Sequence, residues 1–222
     1  MKHALRTVLF DLDGTLADTA PDLAHALNAV LREQGHPALP FARIRPAVSH
    51  GASALIRLGF NIEPDDANFE TLRLRLLDIY QQHLADQTTL FPGVPELLEH
   101  IERRGMNWGV ITNKPAWLTG PLMDKLGLTQ RAACIVSGDT TARRKPDPEP
   151  MLYACGKAGS TVQECVYVGD AERDIEAGRR AGMKTLVALF GYIAQDDTPH
   201  AWGADGMINA PQDVLAWMDD HA

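Results

Sequence analysis

The stretch LRTVLFDLDGT, residues 5–15, decides the fold of this chain. Its apolar run, residues 5–10, predicts a short buried strand, and the Asp-x-Asp-Gly that follows it is a turn signal. Two later β-like runs, residues 106–112 and 164–170, also end in polar side chains. The chain therefore carries chemistry-bearing residues at the ends of several predicted strands.

The region after residue 93 alternates between helix-like and strand-like segments. Helices of about 10 to 14 residues between short apolar strands predict a parallel sheet that is covered on both faces. Residues 21–85 instead have apolar side chains at helical spacing and almost no strand signal. We therefore predict an α/β core, residues 1–15 and 90–222, with a helical domain, residues 16–89, inserted after the first strand.

The predicted topology brings distant polar residues together. Ligands of an open parallel sheet bind outside the carboxyl ends of its strands. Asp11, Thr112 and Asp170 each stand at such an end. The inserted helices leave the sheet at the same edge, so we expect them to cover the site as a lid.

Asp11 and Asp13 form the centre of the predicted chemistry. Residues two apart on an extended chain point to the same side, and two carboxylates that close repel unless a cation or a proton lies between them. Mg²⁺ suits such a site, because it takes one or two carboxylates together with water and substrate oxygens. Asp170 supplies a further carboxylate from another strand.

These residues predict phosphoryl transfer through an aspartate. Asp11 is the candidate nucleophile, and Asp13 would protonate the leaving oxygen and then activate water. The phosphoryl charge needs cations and donors, which Lys145, the Thr112 hydroxyl and Asn113 would provide. Asp174, four residues after Asp170, would hold a metal-bound water or orient Lys145.

Each of these short motifs alone is more typical of a turn or a helix start. Their joint occurrence at the ends of predicted strands favours the functional interpretation. In the helical insertion, His50 and Gly51 lie in a polar break between helices, where a plain loop is the simpler explanation. Arg57, Arg73 and Arg75 lie on its helices, and solvated faces are the default for them. We include His50, Gly51 and Arg57 as candidate substrate contacts.

Composition limits the partners. The 222 residues carry a formal charge of -8, which argues against nucleic acid because its phosphates need a basic face. No apolar stretch reaches the ~18 residues of a membrane span, and the N-terminus lacks a signal-peptide pattern. We expect a cytoplasmic protein, a monomer or homodimer, that binds a small phosphorylated metabolite.

The quoted motifs resemble those of the haloacid dehalogenase-like hydrolases, in the branch with a helical cap after the first motif. The resemblance implies a Rossmann-like doubly wound parallel sheet and Mg²⁺ held by Asp11, the Asp13 carbonyl and Asp170. The dehalogenases lack the second aspartate, present here as Asp13, so a phosphatase is favoured. The phosphonate-cleaving relatives use a cap lysine, and no lysine lies between Lys2 and Lys114.

Within the phosphatases, the chain is similar to the phosphoglycolate phosphatase group. The segments WGVITNKP, KPDPEPM, GDAERDIEAGRRAG, GYI and WGAD look closest to a bacterial subgroup that acts on N-acetylmuramic acid 6-phosphate in cell-wall sugar recycling. The two candidate substrates, 2-phosphoglycolate and N-acetylmuramic acid 6-phosphate, each carry a carboxylate. We expect a cap group near His50–Arg57 to bind it. Two alternatives stay open: a β-phosphoglucomutase-like phosphomutase, and a non-catalytic phosphate-sensing regulator on the same fold.

Overall fold

The structure, a computed structural model, describes residues 4–221. Six parallel strands form the main sheet, in the order β5-β4-β1-β6-β7-β8, and this confirms the predicted α/β class. A separate two-stranded antiparallel ribbon joins β2 and β3. The strands are β1 (Thr7–Phe10), β2 (Ala17–Asp18), β3 (Thr89–Leu90), β4 (Asn107–Ile111), β5 (Cys134–Val136), β6 (Cys165–Gly169), β7 (Lys184–Ala188) and β8 (Gly206–Ile208).

Helices cover both faces of the sheet. Alternation along β1 sends Val8 and Phe10 into one apolar cluster, with α5, α6 and α9, and Leu9 into another, with α7 and α8. Both clusters are buried, which fits strands that are apolar on both sides. The helices are α1 (Ala20–Glu33), α2 (Phe41–Ile44), α3 (Gly51–Phe60), α4 (Phe69–Gln82), α5 (Val94–Arg103), α6 (Ala116–Lys125), α7 (Glu149–Lys157), α8 (Glu172–Ala181) and α9 (Asp213–His221).

Helices α1 to α4 form the cap, which leaves the core after β1 and returns before α5. The two segments that join the cap to the core pair with each other as the β2–β3 ribbon, with Ala17 opposite Leu90 and Asp18 opposite Thr89. The sequence does not predict this ribbon, because two residues in each strand are too few for a periodic signal. Buried Asp22 ties the same junction by accepting hydrogen bonds from the backbone N–H and the hydroxyl of Thr88.

The register of the central strands brings their carboxyl ends to one place. Phe10 of β1 lies opposite Val110 of β4 on one side and opposite Val168 of β6 on the other. From β1 the chain adds β4 and β5 on one side of the sheet, and then β6, β7 and β8 on the other. Open α/β sheets bind ligands at the strand where the order changes direction in this way. Among the described residues, no helix is long and apolar enough to cross a membrane.

Candidate active site

Lys145 holds the two carboxylates of Asp11 and Asp174 in the core. Its Nζ lies 2.9 Å from Asp11 Oδ1 and 2.8 Å from Asp174 Oδ1, and its side chain is 1% exposed. The same Nζ donates to the Ile111 carbonyl and to the Tyr167 hydroxyl, both at 2.8 Å. Two hydrogen bonds and two ion pairs around one buried ammonium group fix its position, and with it the position of Asp11.

Asp11 has one occupied and one open carboxylate oxygen. The backbone N–H of Leu12 donates to Oδ1 at 2.8 Å, beside Lys145. Within residues 4–221, Oδ2 takes part in no hydrogen bond, and Asp11 lines the cleft between core and cap. An oriented carboxylate with one free oxygen has the form that a nucleophile needs.

Asp170 lies at the end of β6 and meets both the core and the cap. Its Oδ2 accepts hydrogen bonds from the Tyr192 N–H at 2.9 Å and from the hydroxyl of cap residue Ser49 at 2.6 Å. Thr15 Oγ1 lies 3.3 Å from Oδ1. Gly14 has φ +87, and a Cβ there would overlap Asp170 Oδ2, so the turn after Asp13 requires glycine.

Asp13 is held by a lysine and a threonine at the mouth of the site. Its Oδ1 accepts hydrogen bonds from Thr19 Oγ1 at 2.6 Å and from Lys114 Nζ at 2.8 Å. Lys114 also lies 3.2 Å from the hydroxyl of Tyr80 on cap helix α4. The predicted acid/base is therefore connected to the cap through Lys114.

Thr112 and Asn113 follow β4 and line the cleft. The Asn113 side-chain amide donates to the Lys145 carbonyl at 2.9 Å, so it fixes the segment that carries Lys145. Within the described chain, the Asn113 N–H makes no hydrogen bond. This backbone group is free to donate to a phosphate oxygen, as phosphate sites require.

Asp11, Asp170 and Asp174 form a buried acidic cluster, in which neighbouring negative charges repel one another. Burial raises the pKa of Asp11 to about 6, against the opposing effect of Lys145, and the charge of Asp174 adds to the rise. Burial, followed by the charges of Asp11 and Asp174, raises the pKa of Asp170 to about 7. Such a cluster favours a proton or a cation.

The cluster fits a small divalent cation. One carboxylate oxygen from each of Asp11, Asp170 and Asp174 lies within 4.8 Å of the others. Asp174 already pairs with Lys145 and accepts from the Ala171 N–H at 3.0 Å. Asp11 and Asp170 are therefore the carboxylates best placed to hold the ion, and Asp174 orients Lys145.

The cleft between core and cap has a volume of about 610 Å³. Its cap wall includes His50 and Gly51, whereas Arg57 is not among its lining residues. Arg57 lies on the surface, 3.0 Å from Glu63, with half of its side chain exposed. The structure thus places most of the predicted site residues on the wall of one cleft. Asp170 and Asp174 are buried beside Asp11, behind that wall, and Arg57 lies apart from the site.

The cleft also contains residues to which the sequence analysis assigned no role. The polar ones among them include Ser49, Tyr80, Lys114, Arg144 and Arg173. Lys114 and Arg173 lie inside the quoted motifs, at strand ends, and that position was the available signal for them. Tyr80 and Ser49 reach the cleft only through the packing of the cap, which no local pattern reveals.

Comparisons with known proteins identify the family of this chain. Residues 8–188 match the family model described as haloacid dehalogenase-like hydrolase. N-acetylmuramic acid 6-phosphate phosphatase of Pseudomonas aeruginosa is 42% identical over 97% of this chain and 95% of its own length. Phosphoglycolate phosphatase of Xanthomonas campestris pv. campestris is 45% identical, over 96% and 97% respectively.

Solved structures give the same result. The crystal structure of a predicted phosphoglycolate phosphatase from Haemophilus somnus superimposes with a TM-score of 0.85 at 26% identity. The alignment covers 96% of this chain and 97% of that one. Family, relatives and site geometry agree, and the chain belongs to the haloacid dehalogenase-like hydrolase family, as an enzyme of the phosphatase class.

Proposed function

We propose that this protein is a Mg²⁺-dependent phosphomonoesterase that hydrolyses a small phosphorylated acid through an aspartyl-phosphate intermediate. The observation that carries the proposal is the state of Asp11. Lys145 and the Leu12 N–H hold one of its oxygens, while the other accepts no hydrogen bond within residues 4–221, on a side chain that lines the cleft and lies near Asp170.

In the first step, Asp11 Oδ2 attacks phosphorus and the bond from phosphorus to the ester oxygen breaks. Asp13 gives its proton to the departing oxygen, so the alcohol leaves neutral. The Asn113 N–H and the Thr112 hydroxyl are the neutral donors that line the path of the phosphoryl oxygens. Lys145 keeps Asp11 in place throughout.

In the second step, water attacks the phosphoryl group and the bond between phosphorus and Asp11 breaks. Asp13, now a carboxylate, takes the proton of the attacking water, which returns both aspartates to their starting forms. Mg²⁺, held by Asp11, Asp170 and the Asp13 carbonyl, would offset the negative charge of the phosphoryl group.

Two substrates are favoured, N-acetylmuramic acid 6-phosphate and 2-phosphoglycolate, by analogy with the named relatives. The volume of the cleft supports the larger one. A cleft of about 610 Å³ is within the ~300–1,000 Å³ range that encloses ligands of drug size. A two-carbon acid would leave most of that space to water, whereas a phosphorylated amino sugar would fill much more of it.

A substrate carboxylate requires a cation that is not already neutralised. Arg73 forms a bidentate pair with Glu70, and Lys114 pairs with Asp13. Arg173 also lines the cleft, but it is occupied by the Ser49 carbonyl and lies beside the acidic cluster. Arg144 lines the cleft, and its side chain has no acidic partner within residues 4–221. We therefore assign the carboxylate contact to Arg144, in place of Arg57.

Phosphate release from a panel of phosphorylated metabolites, with and without Mg²⁺, tests the proposal. Asp11→Asn should lower kcat by about 10⁴-fold or more, because loss of a catalytic nucleophile has effects of that size. Asp219→Asn is the control, since Asp219 pairs with Arg104 outside the cleft. Full activity of Asp11→Asn would refute the assignment.

Two alternatives have distinct outcomes. A phosphomutase would transfer phosphate to a second hydroxyl of a hexose phosphate, and product analysis would detect the isomer instead of inorganic phosphate. A phosphate-sensing regulator would bind phosphate without turnover. The complete set of Asp11, Asp13, Lys145 and Asp170 supports the hydrolase, because a binding protein needs no acid/base.

A further inference from the structure

A cap segment, the 3₁₀ helix Arg45–His50, contacts the core at both of its ends. At one end, Arg45 Nη1 donates to the Gly191 carbonyl at 3.1 Å, and its guanidinium lies 4.7 Å from the centre of the Tyr192 ring. At the other end, the Ser49 hydroxyl donates to Asp170 Oδ2 at 2.6 Å. Both ends of the segment are linked to the same carboxylate. Ser49 binds Asp170 directly, and Arg45 contacts Tyr192, whose N–H donates to Asp170 Oδ2.

Arg173 holds the Ser49 end of the segment from the core side. Its Nη2 donates to the Ser49 carbonyl at 2.5 Å, and its Nη1 lies 3.5 Å from His50 Nδ1. Arg173 belongs to the first turn of α8, three residues after Asp170. We call Ser49, Asp170 and Arg173 the clasp, since a cap serine is bound through its hydroxyl to one core residue and through its carbonyl to another.

The clasp does more than hold the cap against the core, because its serine binds Asp170, a carboxylate of the acidic cluster. Ser49 lines an open cleft, where water is available to its hydroxyl, yet that hydroxyl is directed to a 1% exposed aspartate of the acidic cluster. Asp170 is one of the two carboxylates best placed to hold the cation. A hydrogen bond to the outer side of a ligating carboxylate fixes its orientation, and its loss commonly weakens metal binding by about 10- to 100-fold.

We infer that Ser49 is a positioning residue for Asp170, and that cation binding in the core and closure of the cap are therefore coupled. The inference rests on the proposed function, since it requires a divalent cation at Asp170. Coupling of this kind is reciprocal: if the closed cap raises affinity for the cation, the bound cation favours the closed cap to the same extent. The closed cap is thereby favoured when the core holds its cation.

Isothermal titration of Mg²⁺ into the substrate-free protein tests the first half of the inference. Ser49→Ala should weaken Mg²⁺ binding by about tenfold. Ser49→Thr keeps the hydroxyl and should retain most of the affinity. Ser53→Ala is the matched control, because Ser53 lines the same cleft and its side chain makes no hydrogen bond within the described residues.

Hydrogen exchange of the backbone amides of Arg45 and of residues 47–50 tests the second half, that the bound cation favours the closed cap. Mg²⁺ should slow their exchange several-fold in the wild type and in Ser53→Ala, and should have little effect in Ser49→Ala. Unchanged affinity in Ser49→Ala would overturn the inference, and so would tighter binding, which would mean that the hydroxyl competes with the cation. If the wild type itself binds no Mg²⁺, the proposed function fails as well.

Discussion

The two walls of the cleft are built in different ways. The core wall is supported by a network in which Lys145 forms ion pairs with both Asp11 and Asp174. All three side chains are no more than 4% exposed. The cap wall offers more exposed groups, such as Arg73 with 28% of its side chain exposed, held by a single ion pair with Glu70. Rigid, buried geometry suits a reaction that is the same for every substrate, whereas an exposed wall leaves room for substrates to differ.

The largest expected effect is at the centre of the core wall. Lys145→Met leaves Asp11 and Asp174 buried without their cation, which should lower the free energy of unfolding by about 3–5 kcal/mol and abolish activity. Lys184→Met is the control, since Lys184 pairs with Asp205 on the surface and should cost under about 1 kcal/mol. Urea unfolding of both variants measures the difference. Equal losses would show that the core network is no tighter than a surface pair.

The charge of the same network predicts a dependence on pH and metal. The pKa values of Asp11 and Asp170 are raised, to about 6 and about 7, so the metal-free protein is favoured while both carboxyls hold protons. That contribution is complete below the unfolded value of 3.8 and is lost as the pH rises through about 6 to 7. Each pKa unit corresponds to about 1.4 kcal/mol, so rises of about 2 and about 3 units predict a loss on the order of 5–10 kcal/mol.

Mg²⁺ should therefore raise the melting temperature more at about pH 8 than at about pH 5, where protons already occupy the site. Thermal unfolding in Mg²⁺ and in EDTA at both pH values measures this. Asp170→Asn removes one carboxylate and should shrink the Mg²⁺ effect at the higher pH. An equal Mg²⁺ effect at both pH values would contradict the assignment of the cation to these carboxylates.

A smaller effect is expected where the two walls meet, at Lys114. Lys114→Met removes one of the two donors to Asp13 Oδ1 and leaves only Thr19. Because Asp13 acts in both steps of the proposed mechanism, kcat should fall by about 10- to 100-fold, with a smaller change in KM. Tyr80→Phe removes only the hydroxyl that contacts Lys114 and should have a weaker effect of the same kind. A change confined to KM would assign Lys114 to substrate binding.

Most of the core wall was predictable from the sequence, because its residues stand directly after strands. A parallel sheet with β1 at its switch point brings Asp11, Thr112 and Asp170 together whatever the surrounding helices do. Lys145 is in a loop before α7, and its resemblance to the family motif was the signal that identified it.

The cap wall was not predictable to the same degree. The amphipathic pattern of α3 identified its buried face, yet it did not show whether Arg57 would face the core or the solvent. The ion pair between Arg57 and Glu63 depends on the turn after Phe60, where Asn61 adopts a left-handed conformation. Ser49 and Tyr80 reach the site through the packing of cap helices, which local sequence does not encode.

Arg144 tests whether selectivity for an acid depends on a single free cation. Arg144→Ala should raise KM for a substrate with a carboxylate by about tenfold, because a charge-assisted hydrogen bond contributes about 1.5–3 kcal/mol and this side chain is exposed. The KM for p-nitrophenyl phosphate, which has no carboxylate, should change little. Arg143→Ala is the neighbouring control, since Arg143 pairs with Asp147 and does not line the cleft. Equal shifts for both substrates would remove Arg144 from this role.

The smallest effect is expected for Arg57, which the sequence analysis proposed for the carboxylate. In its ion pair with Glu63, the Arg57 side chain is half exposed and the Glu63 side chain is 69% exposed. Surface ion pairs of this kind contribute about 0–1 kcal/mol to stability. Arg57→Ala should therefore leave KM within about twofold for acid and neutral substrates alike. Steady-state kinetics beside Arg144→Ala decide between the two arginines. A selective rise in KM for the acid in Arg57→Ala would mean that Arg57 leaves Glu63 and enters the cleft with the substrate, so that the cap wall, unlike the core wall, is assembled only on binding.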